Sequence, residues 1–328
     1  MENVKLTTTS ISFLASIQHD LQLVDSIMRT QTEGHYPGLS LALDLILKSG
    51  GKRIRPSVTL LVGHMLGAPR EKLLTLAAAI ELLHTATLIH DDLIDNSLLR
   101  RGMPTINSQW SPGATVLTGD FFFARAAKLA ADTDSIPVMK IFSQTLSTIV
   151  NGEITQLFAI RCRLDREDYF KRIYAKTASL FETAAMTAAL ISPANPATIE
   201  DMRQYGYNIG VAFQIVDDVL DFTGEQETLG KPVGNDLQQG LVTLPAICYV
   251  EANPDDEDVV PLLEGKCPNP NQMQRLIDAI RKSGAPERAL QEAEQFIEKG
   301  ISKLVNQPAG LERDCLKELA KFITHRFK

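Results

Sequence analysis

An all-α fold is what this sequence predicts, and three observations carry that reading. The 16 prolines are spread unevenly, with none between Pro69 and Pro104, Pro137 and Pro193, or Pro196 and Pro232. Proline breaks a helix interior, so each gap has room for a long helix. The gaps are filled with Ala, Leu, Glu, Lys and Met, all good helix formers. Period-2 apolar runs between turn residues are few, so strands should be minor.

The elements follow in order. Breaks are expected at Gly50-Gly51, Gly102-Met103-Pro104, Ser192-Pro193, Gly230 to Gly234 and Asn253 to Asp258. From Glu71 to Asp95 the chain carries Leu73, Leu74, Ala77, Ala78, Ile80, Leu82, Leu83, Leu88 and Ile89. That stretch is apolar nearly all round, which marks a central buried helix. From Asn271 to Lys328 two or three amphipathic helices are expected, broken near Gly284 and Pro308. None of the breaks is long enough for a linker. A single all-helical domain over residues 1–328 is therefore expected.

Charge and cysteine content bound the function. The 328 residues carry 33 Lys+Arg and 40 Asp+Glu, a formal charge of −7. An acidic chain is a poor match for nucleic acid. Cys162, Cys248, Cys267 and Cys315 lie far apart with no CxxC pair, which reads as reduced thiols with no disulfide or structural zinc. No secretory signal is visible in MENVKLTTTS, and no uninterrupted apolar run is long enough to span a membrane. A cytoplasmic location is expected.

Two matching pentads carry the chemistry: Asp91-Asp92-Leu93-Ile94-Asp95 and Asp217-Asp218-Val219-Leu220-Asp221. Each sets carboxylates at i and i+4, neighbours on one helical face. Like charges there repel, and at a helix C-terminus they also oppose the macrodipole. A hard divalent cation relieves both costs, and Mg²⁺ takes a few carboxylates plus water and phosphate oxygens. Cations accompany them in Gly51-Lys52-Arg53-Ile54-Arg55-Pro56, Arg100-Arg101-Gly102, Lys176-Thr177 and Gly230-Lys231. Arg grips phosphate through a planar fork and Lys as a point charge. A diphosphate substrate fits both sets. Neither GxxxxGK[ST] nor GxGxxG is present, so P-loop or dinucleotide chemistry is not indicated.

These motifs resemble the trans-isoprenyl diphosphate synthases, or polyprenyl synthetases, over most of the chain. The match runs through Gly50-Gly51-Lys52-Arg53-Ile54-Arg55-Pro56, Glu81-Leu82-Leu83-His84, and Leu88-Ile89-His90 into the first pentad and Arg100-Arg101-Gly102. It continues through Asn151-Gly152-Glu153, Lys176-Thr177-Ala178-Ser179-Leu180, Phe213-Gln214-Ile215-Val216 with the second pentad, and Leu229 to Asp236. The resemblance implies the isoprenoid synthase fold, one large helical bundle around a deep apolar cavity. It also implies a homodimer.

By that resemblance Asp91, Asp95, Asp217, Asp221 and Asp236 serve about three Mg²⁺ ions. Arg100, Lys176 and Lys231 face the allylic diphosphate. Lys52, Arg55, His84 and Arg101 hold isopentenyl diphosphate. Thr177 and Gln214 take the polar positions near the allylic cation. The allylic partner is dimethylallyl, geranyl, farnesyl or geranylgeranyl diphosphate. One departure stands out: where the family often carries Gly-Lys before a Thr, this chain has Gly240-Leu241-Val242-Thr243.

Product length follows from a ruler argument. An isoprene unit is roughly as long as one helical turn, ~5.4 Å. Ala86 and Thr87, then Leu83, then Ala79 and Ile80 are successive rungs before Asp91. Short-chain relatives commonly carry a bulky aromatic at the position of Ala86. Its absence, and a resemblance to long-chain prokaryotic enzymes, imply products of about C30 to C50, each added unit matching about one turn. Phe142, Leu146 and Phe158 are candidates for the deeper floor. The alternatives are a shorter-chain geranylgeranyl or farnesyl diphosphate synthase, a terpene cyclase, and a non-catalytic subunit of a heteromeric synthase. The intact pair of pentads weighs against the last two.

Overall fold

The computed structural model describes residues 12–224 and 233–325. Its main helices are α1 (Gln18–Thr30), α2 (Pro37–Lys48), α3 (Ile54–Leu66), α4 (Arg70–Ile94), α5 (Pro112–Ala131) and α6 (Ile136–Leu157). After them come α7 (Arg166–Ile173), a π-helical turn (Tyr174–Ala178), α8 (Ser179–Leu190) and α9 (Pro196–Thr223). The last four are α10 (Leu244–Ala252), α11 (Pro270–Lys282), α12 (Ala285–Ser302) and α13 (Leu311–His325). Among the described residues the only strands form a ribbon of Leu99–Arg100 against Met103–Pro104. The all-α expectation holds, and the three C-terminal helices break at Ser283-Gly284 and around Pro308 as the sequence reads.

The contacts gather the chain into two compact units. Unit 1 comprises residues 1–142, 184–202 and 304–319, and unit 2 comprises 143–183, 203–303 and 320–328. In unit 1, α4 is the core helix. Leu73, Leu76, Ala79, Ile80, Leu82, Leu83 and Ala86 are all fully buried. By length and composition α4 could cross a membrane, but 72% of that window is buried inside the protein. The core of unit 2 is built around Phe181, Tyr205, Ile209, Ala212, Ile215 and Val219. At about 25 cal/mol per Å² of apolar surface, each such large side chain contributes roughly 1.5–3 kcal/mol.

Two expectations need correction. Cys162 and Cys267 form a disulfide, so the chain does not carry four reduced thiols. The 105-residue separation of this pair is invisible to a spacing argument. Cys248 and Cys315 are free and buried. With one pair of cysteines joined, cysteine usage does not point to a reducing compartment. Phe158 is 85% exposed and is not a floor residue, whereas Phe142 is buried.

Candidate active site

The predicted residues fall in both units, and each set is built separately. In unit 1 the first pentad is the last turn of α4, with Asp95 as its C-cap. Asp91 is half-buried, Asp95 is exposed, and Asp92 between them is buried. Helical geometry explains the pattern, since i and i+4 share the outer face while i+1 turns toward the core. Arg100 answers the buried charge. Its Nε donates to Asp92 Oδ1 at 3.0 Å and to Oδ2 at 3.1 Å, and its Nη2 lies 2.9 Å from Oδ1. Arg101 and Gly102 both have positive φ, 51° and 74°, which a two-residue type I′ hairpin turn requires. That turn returns the chain after Arg100 and leaves Arg101 donating to the Gly50 carbonyl.

Behind this turn lies a cationic nest. Arg55 Nη1 donates to His84 Nε2 at 3.2 Å. Burial, and then the charges of Arg55, Arg100, Arg101 and Arg53, hold His84 well below the usual imidazole range. His84 is thus a neutral ring that accepts from Arg55 and carries its proton on Nδ1. Arg53 is a structural partner instead. It has left-handed backbone at φ 47°, and its Nη1 reaches the buried Glu81 at 2.9 Å. Burial raises Glu81 despite the opposing Arg53 and Arg55 charges. Lys52 is exposed on the loop between Gly51 and this clamp. Lys52, Arg55 and Arg101 beside a neutral imidazole suit a diphosphate, whose oxygens Arg grips through its planar fork and Lys as a point charge. Leu83 and Ala86 are fully buried on α4, and Thr87 donates to the His84 carbonyl at 2.8 Å.

In unit 2 the second pentad lies two residues short of the end of α9. Its burial repeats the first: Asp217 and Asp221 are half-buried and Asp218 is buried. Here the middle carboxylate meets neutral donors. Tyr169 Oη donates to Asp218 Oδ2 at 2.7 Å, and Gln214 Nε2 donates to Oδ1 at 2.8 Å. Burial, and next the Asp236 charge, push Asp218 up to about 8, against the pull of the Gln214 and Tyr169 donors. Asp221 accepts the Asp236 backbone N–H at 3.3 Å through Oδ2, and its carbonyl accepts from Gly234 at 2.9 Å. Asp236 is thereby placed beside the second pentad. Its turn is braced by the Cys162 N–H donating to the Gly240 carbonyl at 2.7 Å.

Lys176 and Thr177 sit on the π-helical turn, an element that recurs at functional sites because it shifts side-chain direction. Glycines on two helices let the backbone crowd it. A Cβ at Gly152 would lie 2.5 Å from Ala175 Cβ, and one at Gly210 would lie 2.7 Å from Ala178 Cα. Lys176 Nζ pairs with Glu153 Oε1 at 3.1 Å. Thr177 donates to Gln214 Oε1 at 2.6 Å, so the two predicted polar positions are brought together. Lys231 lies outside the described residues. Leu241 is half-buried.

The sequence reading did not find the roles of Asp92, Asp218, Tyr169 and Glu81. The first two could have been found, because the middle residue of a helical DDxxD must face inward. Among the described residues no three His, Cys, Asp or Glu side chains gather into a metal cage. The donor set is nevertheless all oxygen, in outward i, i+4 pairs. That fits a hard cation which takes one or two carboxylates and completes its shell with water and substrate phosphate.

Comparison with known proteins agrees with this chemistry. The family model described as Polyprenyl synthetase matches residues 37–280, and the chain belongs to that family. It is 32% identical over 317 residues to octaprenyl diphosphate synthase of Escherichia coli (strain K12), covering 96% of this chain and 94% of that protein. It is 34% identical over 314 residues to heptaprenyl diphosphate synthase component 2 of Bacillus subtilis (strain 168), covering 94% and 89%. The fold matches polyprenyl synthase from Caulobacter crescentus CB15, solved with calcium and isoprenyl diphosphate, with a TM-score of 0.87 and 34% identity. That match covers 97% of this chain and 98% of the other.

Proposed function

We propose that this chain is a trans-prenyltransferase that condenses isopentenyl diphosphate with an allylic diphosphate, head to tail, into a polyprenyl diphosphate. The observation that carries the reading is the repeated pentad with its outer carboxylates turned outward and its middle one held inside. Asp91 and Asp95, and Asp217 with Asp221 and Asp236, would hold Mg²⁺, about three ions in all. Bound there, the ions would supply positive charge to the leaving diphosphate. Lys176 and Arg100 add fixed cations for the same diphosphate, as would Lys231. Lys52, Arg55, Arg101 and His84 hold the diphosphate of isopentenyl diphosphate.

Ionisation breaks the allylic C1–O bond, and the electron pair leaves with diphosphate. The double bond of isopentenyl diphosphate then forms the new C–C bond to C1. The resulting cation loses a proton to the released diphosphate, so no side-chain base is needed. Thr177 and Gln214 present oxygen dipoles to the allylic cation.

The long-chain relatives and the small Ala86 support a product of about C30 to C50, one unit per turn of α4. We read the active form as a homodimer, supported by the exposed apolar side chains of Ile154, Leu157 and Phe158 around the end of α6. Purified protein with Mg²⁺, labelled isopentenyl diphosphate and each allylic primer should give polyprenyl diphosphate, sized by mass spectrometry. No diphosphate release from any primer would refute the reading. Ala86→Phe should shorten the product, and an unchanged length would refute the ruler.

A second reading has one specific support. Leu241 stands where the family often has Lys, and one relative is named as a component of its enzyme. Activity of the pure chain alone would exclude an obligatory second component.

A further inference from the structure

We propose that Arg53 is a positioning residue for the condensation: anchored by Glu81 and Asp25, it fixes the left-handed turn that presents Lys52 and Arg55 to the diphosphate of isopentenyl diphosphate. This rests on the proposed prenyltransferase reading, in which Lys52 and Arg55 hold that diphosphate.

Arg53 is a backbone outlier. It is the residue before α3 and has φ 47° and ψ 36°, in the left-handed region. Glycine adopts that region at no steric cost. A residue with a side chain stays there only where its surroundings over-determine it. Here both ends of the residue are tied. The carbonyl accepts from Ser57 Oγ at 2.7 Å and from the Ser57 N–H at 3.0 Å. The guanidinium reaches two helices at once. Its Nη1 donates to Glu81 Oε1 on α4 at 2.9 Å, and its Nε lies 3.4 Å from Asp25 Oδ1 on α1. A planar fork can span two carboxylates in this way, whereas the ammonium of Lys is a point charge on a flexible stem.

The anchor sets what lies on either side of it. On the N-terminal side, a Cβ at Gly51 would lie 3.2 Å from Arg101 Nη1 and 3.4 Å from Arg53 Nη1. The two guanidiniums thus close on the Gly51 backbone, one residue before Lys52. On the C-terminal side, Arg55 Nη1 donates to His84 Nε2 at 3.2 Å. Glu81 and His84 are three residues apart on α4 and share a face. Arg53 and Arg55 therefore take adjacent rungs of one helix, and the first rung fixes the register of the second. The charge of Arg53 is answered by Glu81 and Asp25, and its side chain is only 17% exposed. It acts on the diphosphate through Lys52 and Arg55.

Kinetics separate this role from a purely structural one. Arg53→Gln keeps a polar side chain and removes the fork. With Mg²⁺ and the allylic primer that the protein uses fastest, it should raise KM for isopentenyl diphosphate by about tenfold, the scale of one net hydrogen bond. KM for the primer and kcat should stay within about twofold, because the lost binding is uniform between ground and transition state. Binding of isopentenyl diphosphate to metal-free protein, followed by calorimetry, should weaken by the same factor. A purely structural role would lower the melting temperature and leave both KM values of the folded protein unchanged. In a Lys52→Ala background the cost of Arg53→Gln should shrink, since part of it passes through Lys52. A guanidinium that touched the diphosphate itself would cost the full factor in both backgrounds, and that result would overturn the proposal. So would a joint rise of both KM values.

Should Arg53→Gln fail to fold, Glu81→Gln keeps the shape and exchanges a charged acceptor for a neutral one. It should give the same split at about threefold, the weaker effect expected when one charged hydrogen bond becomes neutral. If Lys52→Ala raises KM for isopentenyl diphosphate but neither Arg53→Gln nor Glu81→Gln does, this proposal alone is overturned. If Lys52→Ala leaves that KM unchanged, the placement of the diphosphate falls, and this proposal with it.

Discussion

The first and second pentads present the same face and solve the same problem by different means. Each turns two aspartates outward at i and i+4 and buries the third. At Asp92 the buried carboxylate receives a full positive charge from Arg100, eight residues further on. At Asp218 it receives only dipoles, from Tyr169 and Gln214. A charge-assisted contact is roughly twice as strong as a neutral one. The inner carboxyl of the first pentad is therefore held by a full charge, and that of the second by dipoles. The scaffolding differs too. The first pentad is braced locally by the hairpin at residues 99–104, the second by residues distant in sequence.

The largest effects should come from the outer carboxylates. Asp91→Asn and Asp217→Asn should each lower kcat by about 10²–10³-fold, the scale for removing one electrostatic contributor to a transition state. Circular dichroism should show both variants folded. A variant that kept full kcat would break the equivalence of the two pentads.

Next in size is the long-range brace. Cleaving Cys162–Cys267 with a reductant, or making Cys267→Ser, releases a closed loop of 105 residues. Disulfides of this kind are worth about 2–4 kcal/mol. A fall of that size in urea unfolding is expected, with faster amide exchange at Cys162, whose N–H holds the Gly240 turn. Equal exchange before and after reduction would show that the second pentad does not depend on the brace.

The local brace can be broken as well. Arg100→Gln strands Asp92 beside a side chain that carries no charge. The pair is partly open, with Arg100 31% exposed. The loss should therefore be about 2 kcal/mol, below the 3–5 kcal/mol of a fully buried pair. Asp92→Asn added to Arg100→Gln should recover part of it in a double-mutant cycle. Asp218→Asn, by contrast, removes no cation's partner and should leave the metal-free protein at least as stable. If Asp92→Asn alone, which removes the partner of Arg100, cost no more stability than Asp218→Asn, the contrast between charge and dipole would be wrong.

That contrast also explains what could be read from the sequence. The helical ends, the pentads and the cations beside the first one are local patterns, and periodicity exposes them. Arg100 was visible because it lies eight residues from Asp92. Tyr169 was not, since it meets Asp218 across 49 positions. The same holds for Cys162 with Cys267. Glu81 was legible as part of a motif but not as the clamp on Arg53, which depends on a left-handed residue. Sequence spacing shows neighbours along a helix, and it is silent on pairs that only packing creates.

The last expected effect is a pH dependence, and it tests the comparison most directly because a third buried aspartate serves as reference. Asp20 is 10% exposed and is held by His64 at 2.7 Å and Arg70 at 2.5 Å. Burial works to raise its carboxyl, but the hydrogen bonds and charges of Arg70 and His64 outweigh it, so it titrates below the usual range. A depressed carboxyl contributes stability above its unfolded value of about 3.9, lost as pH falls through the folded value. Asp218 has the opposite sign. Raised to about 8, it contributes stability below about 3.9, lost as pH rises toward 8. One proton changes stability by at most about 1.4 kcal/mol per pH unit. Urea unfolding of chelator-treated protein should therefore weaken from pH 5 to pH 8. Asp218→Asn should flatten that limb and leave the acid limb intact, whereas Asp20→Asn should do the reverse. If Asp218→Asn left the slope between pH 5 and pH 8 unchanged, the buried carboxylate of the second pentad would have to be compensated as fully as that of the first.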